Sequence, residues 1–236
     1  MLTGREKELR IFRDAGQDDH SRFIAVYGRR RIGKTFLIRE AFGYRFTFQH
    51  AGISGGSLSE QLYAFEASLR EAGREEPGDP HNWLEAFEDL KDLIRGSKET
   101  REVLFIDELS WMDTQNCDLM SALENFWNGW ASARKDIVLI VCTSATSWML
   151  NKVIHNKGGL YHRLTDRIPL EPFTLSECEE LFRQPAIRNH SERSFPPVKQ
   201  GAAAAAPCLS VIPSVCRIRR IRASYPDRPI SPDRTP

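Results

Sequence analysis

The sequence lacks long apolar runs, paired cysteines and clustered histidines, and each absence argues against a class of protein. No window in its 236 residues approaches the ~18 apolar residues of a membrane-spanning helix, and the N-terminus, MLTGREKELR, has no apolar signal-peptide core. The five cysteines are an odd number without CxxC spacing, which favours free thiols in a reducing compartment. The six histidines are scattered and indicate no His–Cys metal site. We therefore expect a cytoplasmic protein that does not enter a membrane.

Net charge is also nearly absent, but its distribution is uneven. Residues 1–184 carry 24 Lys+Arg against 29 Asp+Glu, a net charge of −5, whereas residues 185–236 carry 9 against 3, a net charge of +6. The second segment also holds nine of the 13 prolines and the low-complexity run QGAAAAAPCLS. No amphipathic period persists there. We therefore expect one folded domain over residues 1–184 and a low-complexity, disordered tail over residues 185–236.

Short apolar runs alternate with helical patterns in the first 184 residues. Their apolarity is continuous, which is typical of strands buried on both faces of a parallel sheet. The runs are 23–27, 45–50, 103–107, 137–143 and 167–173. Capping pairs that predict helix starts are Thr3 with Glu6, Ser57 with Glu60, Asn82 with Glu85, and Thr174 with Glu177. Five strands joined by helical crossovers predict a three-layer α/β domain with right-handed connections.

The segment GRRRIGKT, Gly28 to Thr35, fits the P-loop pattern G-x-x-x-x-G-K-[ST]. It follows a predicted strand and precedes a predicted helix, so its backbone N–H groups would face phosphate oxygens at the positive end of that helix. Lys34 would reach the β- and γ-phosphates, and the Thr35 hydroxyl would coordinate Mg²⁺. The predicted nucleotide-binding residues are Gly28, Arg29, Arg30, Arg31, Ile32, Gly33, Lys34, Thr35 and Phe36. Since three consecutive arginines cannot all face one ligand, at least one is surface charge. We expect Mg²⁺ and ATP as ligands.

Two acidic residues follow the apolar run that ends at residue 107. Ligands of open α/β sheets bind outside the carboxyl ends of the strands, which is where Asp107 would lie. Asp107 would hold the Mg²⁺ shell, and Glu108 would orient or deprotonate a water. Acidic loop residues after a strand are common without such a role, and the P-loop upstream in the same chain is what favours function here.

Two further groups have alternative readings. Thr143 and Ser144 close the fourth run, where a hydroxyl would sense the γ-phosphate or position the attacking water, or would instead cap the next helix. Arg163 and Arg167 precede or begin the fifth run, where an arginine would stabilise phosphoryl-transfer charge in its own or a neighbouring subunit. The alternative is two solvated arginines. Of the pair, we choose Arg163, because it lies further from the strand.

With these motifs in view, the chain resembles the prokaryotic (archaeal and bacterial) AAA-type ATPase domain family, P-loop NTPases of the STAND class. The resemblance implies an ASCE-type core with strand order 5-1-4-3-2, Glu108 as catalytic base and Ser144 as sensor. It also implies that the segment 4–6, Gly-Arg-Glu, lies near the nucleotide base. Thr143 stands where the family usually has glycine. The matching segments are 2–9, 26–40, 103–112, 141–150 and 157–181.

The resemblance ends at about Gln184, where such proteins continue into a helical lid and further domains. The tail of this chain resembles a frameshifted or truncated end instead. Two functions follow: a switch that binds ATP and hydrolyses it slowly, or a regulatory or remnant nucleotide-binding module without turnover. A protein partner or self-association stays open. The acidic core argues against nucleic acid as a partner, and the basic tail would bind polyanions only nonspecifically.

Overall fold

The computed structural model describes residues 4–76, 78–155, 159–160 and 162–183. The predicted tail over residues 185–236 lies outside the described residues. Among the described residues, no helix combines the length and apolarity needed to cross a membrane.

One parallel sheet of five strands forms the centre of the described domain. Its spatial order is β2-β3-β4-β1-β5, which confirms the predicted order 5-1-4-3-2 when it is read from the other edge. Every neighbouring pair is parallel, as helical crossovers require. The strands are β1 (Arg22–Tyr27), β2 (Phe48–Ala51), β3 (Glu102–Asp107), β4 (Ile137–Thr143) and β5 (Asp166–Pro169).

Helices connect the strands, and several begin at the predicted caps. Ser57 and Glu60 form a complete capping box, and the Asn82 side chain accepts from the Glu85 N–H at 2.9 Å. Thr3, the predicted first cap, lies outside the described residues. The helices are α1 (Glu6–Gln17), α2 (Lys34–Ala41), α3 (Leu58–Glu71), α4 (Trp83–Gly96), α5 (Leu109–Met112), α6 (Leu119–Gly129), α7 (Thr146–Met149) and α8 (Leu175–Arg183), with a 3₁₀ turn at Ala131–Ala133 and a π-helical turn at Leu150–Ile154.

Side chains of the central strands divide between two apolar clusters, which gives three layers. On β1, Phe23 and Ala25 belong to the cluster that contains the apolar faces of α3, α4 and α6. Ile24 and Val26 belong to the other cluster, with α1 and α2. Because successive side chains of a strand point to opposite faces, the sheet is covered on both sides. This confirms the predicted three-layer α/β fold.

The strand register brings the carboxyl ends of β1, β3 and β4 to one edge of the sheet. Tyr27, the last residue of β1, is level with Thr143 of β4, and Ile106 of β3 is level with Val141. The P-loop after β1, Asp107 and Ser144 therefore emerge side by side. The core of the sheet thus fixes the position of the predicted site.

Both edge strands differ from their predicted extents. β5 ends at Pro169 rather than continuing to residue 173, and the Leu170 N–H makes the next hydrogen bond, to the Tyr27 carbonyl at 2.8 Å. Pro169 and Pro172 lack the N–H that a longer ladder would use. β2 begins at Phe48, three residues after its predicted start.

Candidate functional site

The P-loop has a backbone that only particular residues allow. Gly28 and Gly33 have φ angles of 149° and 88°, and a Cβ on Gly28 would lie 2.2 Å from the Leu170 carbonyl oxygen. Lys34, the first residue of α2, is 6% exposed. Its Nζ donates to the carbonyl oxygens of Gly28 and Arg29, each at 2.9 Å. The ammonium group is therefore held within the curve of the loop, at the N-terminus of a helix.

The two predicted metal ligands are in direct contact. Thr35 Oγ1 donates to Asp107 Oδ2 at 2.7 Å, and Asp107 Oδ1 accepts from the Glu108 N–H at 2.9 Å. A hydroxyl and a carboxylate are hard oxygen donors, and Mg²⁺ typically takes one or two such protein ligands together with water and phosphate oxygens. The pair therefore fits Mg²⁺, and Thr35 and Asp107 are the residues that would hold it.

Glu108 lies next to Asp107 in an unusual backbone conformation. Its φ and ψ are 47° and 46°, the left-handed region, which costs a non-glycine residue about 1–2 kcal/mol. Its Oε2 accepts from both the N–H and the hydroxyl of Ser144, each at 3.0 Å. The Ser144 hydroxyl therefore contacts Glu108 rather than capping α7, whose N-cap is Ala145. The structure thus joins the predicted base and the predicted sensor.

Thr143 is fully buried beside this contact. Its hydroxyl accepts from the Ala145 N–H at 3.0 Å and lies 2.6 Å from Ser110 Oγ. The threonine therefore fixes the turn after β4 through its side chain. Beneath it, burial and then the charge of Asp107 raise the pKa of Cys142 well above its usual range, so this thiol is neutral.

The three P-loop arginines diverge. All three are exposed, and Arg30 Nε donates to Ser144 Oγ at 3.3 Å while its guanidinium lies 5.4 Å from the centre of the Trp111 ring. Arg31 has a φ of 65°. At the start of α2, Phe36 is 53% exposed, and Ile32 packs on the cluster beneath α2. Of the three arginines, only Arg30 is seen to bridge from the loop to Ser144 within the described residues.

Arg163 is not brought to the P-loop of its own chain. The strand after it is parallel to β1, with Asp166 level with Ile24, and the Thr165 N–H donates to the Phe23 carbonyl at 2.9 Å. Arg163 thus lies toward the amino end of β1, whereas the P-loop follows the carboxyl end. The expectation that distance from the strand moves it nearer the γ-phosphate was wrong for this chain's own site. Action on a neighbouring subunit stays a prediction.

The segment Gly4-Arg5-Glu6 packs against the chain that follows β5. The Arg5 guanidinium donates to the Glu171 carbonyl at 2.5 Å and lies 4.2 Å from the centre of the Phe173 ring. The Gly4 N–H donates to Glu6 Oε1 at 3.1 Å. These contacts join the start of α1 to the segment before α8, and proximity to a nucleotide base stays a prediction.

Two residues that the motifs did not identify contact the turn around Glu108. Gln61 of α3 is fully buried and hydrogen-bonds to backbone groups of Ile53 and Trp111. Gly52, after β2, approaches the Glu108 carbonyl. The sequence does contain a signal for Gln61, because it is a polar residue within the apolar face of α3. A buried amide requires hydrogen-bond partners, so such a residue is expected to fix a neighbouring segment.

The sheet order, the P-loop after β1 and the Thr35–Asp107 pair at its carboxyl edge define a P-loop ATPase. Residues 2–199 match the family model described as an ATPase domain predominantly from Archaea, and the chain belongs to that family.

A relative and several solved structures are similar to this chain. An uncharacterized protein of Methanocaldococcus jannaschii is 28% identical over 185 residues, which are 77% of this chain and 38% of that protein. The chain therefore spans well under half of the length of this relative. A Walker-type ATPase of Pyrococcus abyssi has a TM-score of 0.55 at 16% identity, over 80% of this chain and 59% of its own. Cdc6p of Pyrobaculum aerophilum has a TM-score of 0.53 at 17% identity, over 77% and 49%. These structures support the fold.

Proposed function

We propose that this chain is a nucleotide-dependent switch of the STAND class that binds Mg²⁺ and ATP and hydrolyses ATP slowly, with Glu108 as the general base. The observation that carries the proposal is the hydrogen-bonded series from Arg30 through Ser144 to Glu108. Both Ser144 groups contact one carboxylate oxygen of Glu108, Oε2, at 3.0 Å, and so occupy a position where an attacking water would have to bind. Glu108 must therefore exchange its Ser144 partners for a water before hydrolysis, and Arg30 links that exchange to the P-loop.

The remaining residues have binding roles in this proposal. The backbone N–H groups from Arg29 to Thr35 cradle the phosphates, and Lys34 moves from the loop carbonyls to the β- and γ-phosphates. Thr35 and Asp107 hold Mg²⁺, which neutralises phosphate charge when it is bound. The phosphate therefore competes for Lys34 with Gly28 and Arg29. The engagement of Glu108 by Ser144 favours slow turnover, because these contacts must be exchanged before Glu108 can act on a water.

The experiment compares nucleotide affinity with hydrolysis in Glu108→Gln. The amide keeps the shape of the side chain but accepts no proton, so we expect ATP affinity to be retained while turnover falls at least about a hundredfold. Asp107→Asn should instead raise the Mg²⁺ concentration that half-maximal turnover requires. Glu71→Gln, on the exposed end of α3, is the matched control and should behave as the parent.

Two results would contradict the proposal in different ways. Hydrolysis by Glu108→Gln at the parental rate would show that Glu108 is not the base. ATP binding by the parent without measurable hydrolysis would favour the second function, a nucleotide-binding module that does not turn over.

A further inference from the structure

We propose that Gln61 and Gly52 are positioning residues that hold Glu108 in the orientation its role as base requires. The inference rests on the proposed function, since it assigns a purpose to the backbone around Glu108. Neither residue belongs to the P-loop or to the acidic end of β3. They act on the Glu108 turn, which we define as residues 107–111.

Gln61 anchors one end of this turn through a completely buried amide. Its Nε2 donates to the carbonyl oxygens of Trp111 at 2.9 Å and Ile53 at 2.6 Å, and its Oε1 accepts from the Ile53 N–H at 3.0 Å. A buried amide that lost these partners would incur a desolvation cost, so its position is strongly determined. The Trp111 carbonyl is therefore fixed relative to α3.

Gly52 holds the other end of the turn. Its N–H donates to the Asp107 carbonyl at 3.0 Å, and a Cβ at this position would lie 2.8 Å from the Glu108 carbonyl oxygen. A second glycine in the same loop, Gly56, leaves room for the amide, because a Cβ there would lie 3.0 Å from Gln61 Nε2. The loop of residues 52–56 therefore fits closely between α3 and the Glu108 turn.

These two anchors lie on either side of the left-handed residue. The Asp107 carbonyl is held by Gly52 and the Trp111 carbonyl by Gln61, while the Trp111 N–H donates to the Glu108 carbonyl at 2.8 Å. A non-glycine residue stays in the left-handed region only where its surroundings fix it. Relaxation of Glu108 to an ordinary φ would rotate its side chain away from Ser144. Gln61 and Gly52 therefore act on catalysis through Glu108.

A buried glutamine could also serve only the stability of the core. Kinetic measurements separate that role from the positioning of Glu108. Positioning predicts that Gln61→Met lowers kcat at least tenfold while the Kd for Mg²⁺ and ATP stays within threefold of the parent. In a Glu108→Gln background, the same substitution should change the residual turnover less than twofold, because residues that act as one unit are not additive. Gln49→Met, the same change at a half-buried site on β2, is the control and should match the parent.

Gly52→Ala is the second variant, and it tests the turn without removing the buried amide. We expect the same pattern, a lower kcat with unchanged Kd. An equal loss of turnover in the parental and Glu108→Gln backgrounds, a loss confined to Kd, or parental kcat in both variants would overturn the inference.

Amide exchange without nucleotide makes the test independent of turnover. In Gln61→Met and Gly52→Ala, protection of the Ser144 and Trp111 amides should fall at least tenfold, while that of Val141 in the centre of β4 is unchanged. Uniform loss across all three amides, or no loss at all, would refute positioning. If the parent chain proves not to hydrolyse ATP, the proposed function fails and this measurement alone decides the inference.

Discussion

Lys34 and Thr35 are neighbours in the sequence but have different partners in the structure. Lys34 contacts carbonyl oxygens of its own loop, whereas Thr35 contacts Asp107 on another strand. The division follows from the helix that begins at Lys34, since successive side chains of a helix point about 100° apart. In the proposed function, the first side chain would therefore contact the phosphates and the second would contact the metal.

Lys34→Ala should weaken binding of Mg²⁺ and ATP at least tenfold, about 1.4 kcal/mol. The substitution removes the ammonium group that the loop surrounds, so the phosphates would lose a positively charged ligand. Calorimetric titration of the variant measures the effect, with circular dichroism to verify the fold. Lys98→Ala, at an exposed lysine between α4 and β3, is the control. Equal affinity of Lys34→Ala and the control would exclude Lys34 as a phosphate ligand.

His50 on β2 makes stability sensitive to acid. Burial lowers its pKa from 6.5 to about 4, and its ring packs against Phe48 and Phe65. Between these two pH values the unfolded chain binds a proton that the folded chain does not. The contribution of His50 to the free energy of unfolding should therefore fall by up to about 3 kcal/mol as the pH drops from 7 to 4, and this contribution should not change further below pH 4.

Denaturant unfolding at several pH values measures this effect. His50→Leu provides the comparison, because its unfolding free energy should lack this part of the pH dependence. Parallel pH profiles for the parent and His50→Leu would contradict the assignment.

At the scale of elements, helices and strands were predicted best where apolar patterns and capping residues indicate the same boundaries. The run 137–143 coincides with β4, and all seven of its residues are buried. The predicted capping box of Ser57 and Glu60 forms at the start of α3. The edge strands were predicted less well, because their ends depend on which backbone groups meet a neighbour. Pro169 and Pro172 indicate where β5 ends only when its neighbouring strand, β1, is known.

The site residues were predictable where a sequence motif specifies both the functional group and its place at the edge of the sheet. Thr35 and Asp107 meet as expected, since both follow parallel strands at one edge of the sheet. Arg163 does not lie at this edge in its own chain, because a residue before a parallel strand lies toward the opposite edge, and its action on a neighbouring subunit stays a prediction. The left-handed Glu108 and its link to Gln61 depend on contacts between distant segments. The glutamine within the apolar face of α3 indicates a buried amide, but neither its Trp111 partner nor the left-handed conformation has a local signature in the sequence.

Gly28→Ala should destabilise the domain by at least about 2 kcal/mol. The new Cβ would meet the Leu170 carbonyl of the segment after β5, and the backbone there has a φ of 149°. Strain of this kind costs about 1–3 kcal/mol before the clash is added. Gly16→Ala in α1 is the control, since a Cβ there has open space and an alanine favours the helix by about 1 kcal/mol. Denaturant unfolding should therefore move in opposite directions for the two variants, and a parental midpoint for Gly28→Ala would contradict this packing.

At the scale of the whole molecule, several separate segments contribute to one edge of one sheet. The P-loop, the end of β3, the end of β4 and the loop after β2 are joined there by direct hydrogen bonds. The two apolar clusters that support this edge are built from elements between α1 and the residues that follow β5. The residues proposed to bind the nucleotide phosphates are therefore supported by a core formed before α8.

The last prediction follows from that placement and concerns the segment 185–236. A chain ending at Arg183 should bind Mg²⁺ and ATP within about threefold of the full chain, a difference under 1 kcal/mol. The reason is that Lys34, Thr35 and Asp107 are held by partners within the P-loop, α2 and β3. Turnover by both chains should stay well below the ~1–10³ s⁻¹ of typical enzymes, because the sequence after residue 184 has no apolar period from which to build a cover for the nucleotide. A chain ending at Lys199, where the family match ends, is the matched comparison. If the chain ending at Arg183 loses affinity and the chain ending at Lys199 keeps it, residues 184–199 contribute to the nucleotide site and the predicted domain boundary is wrong.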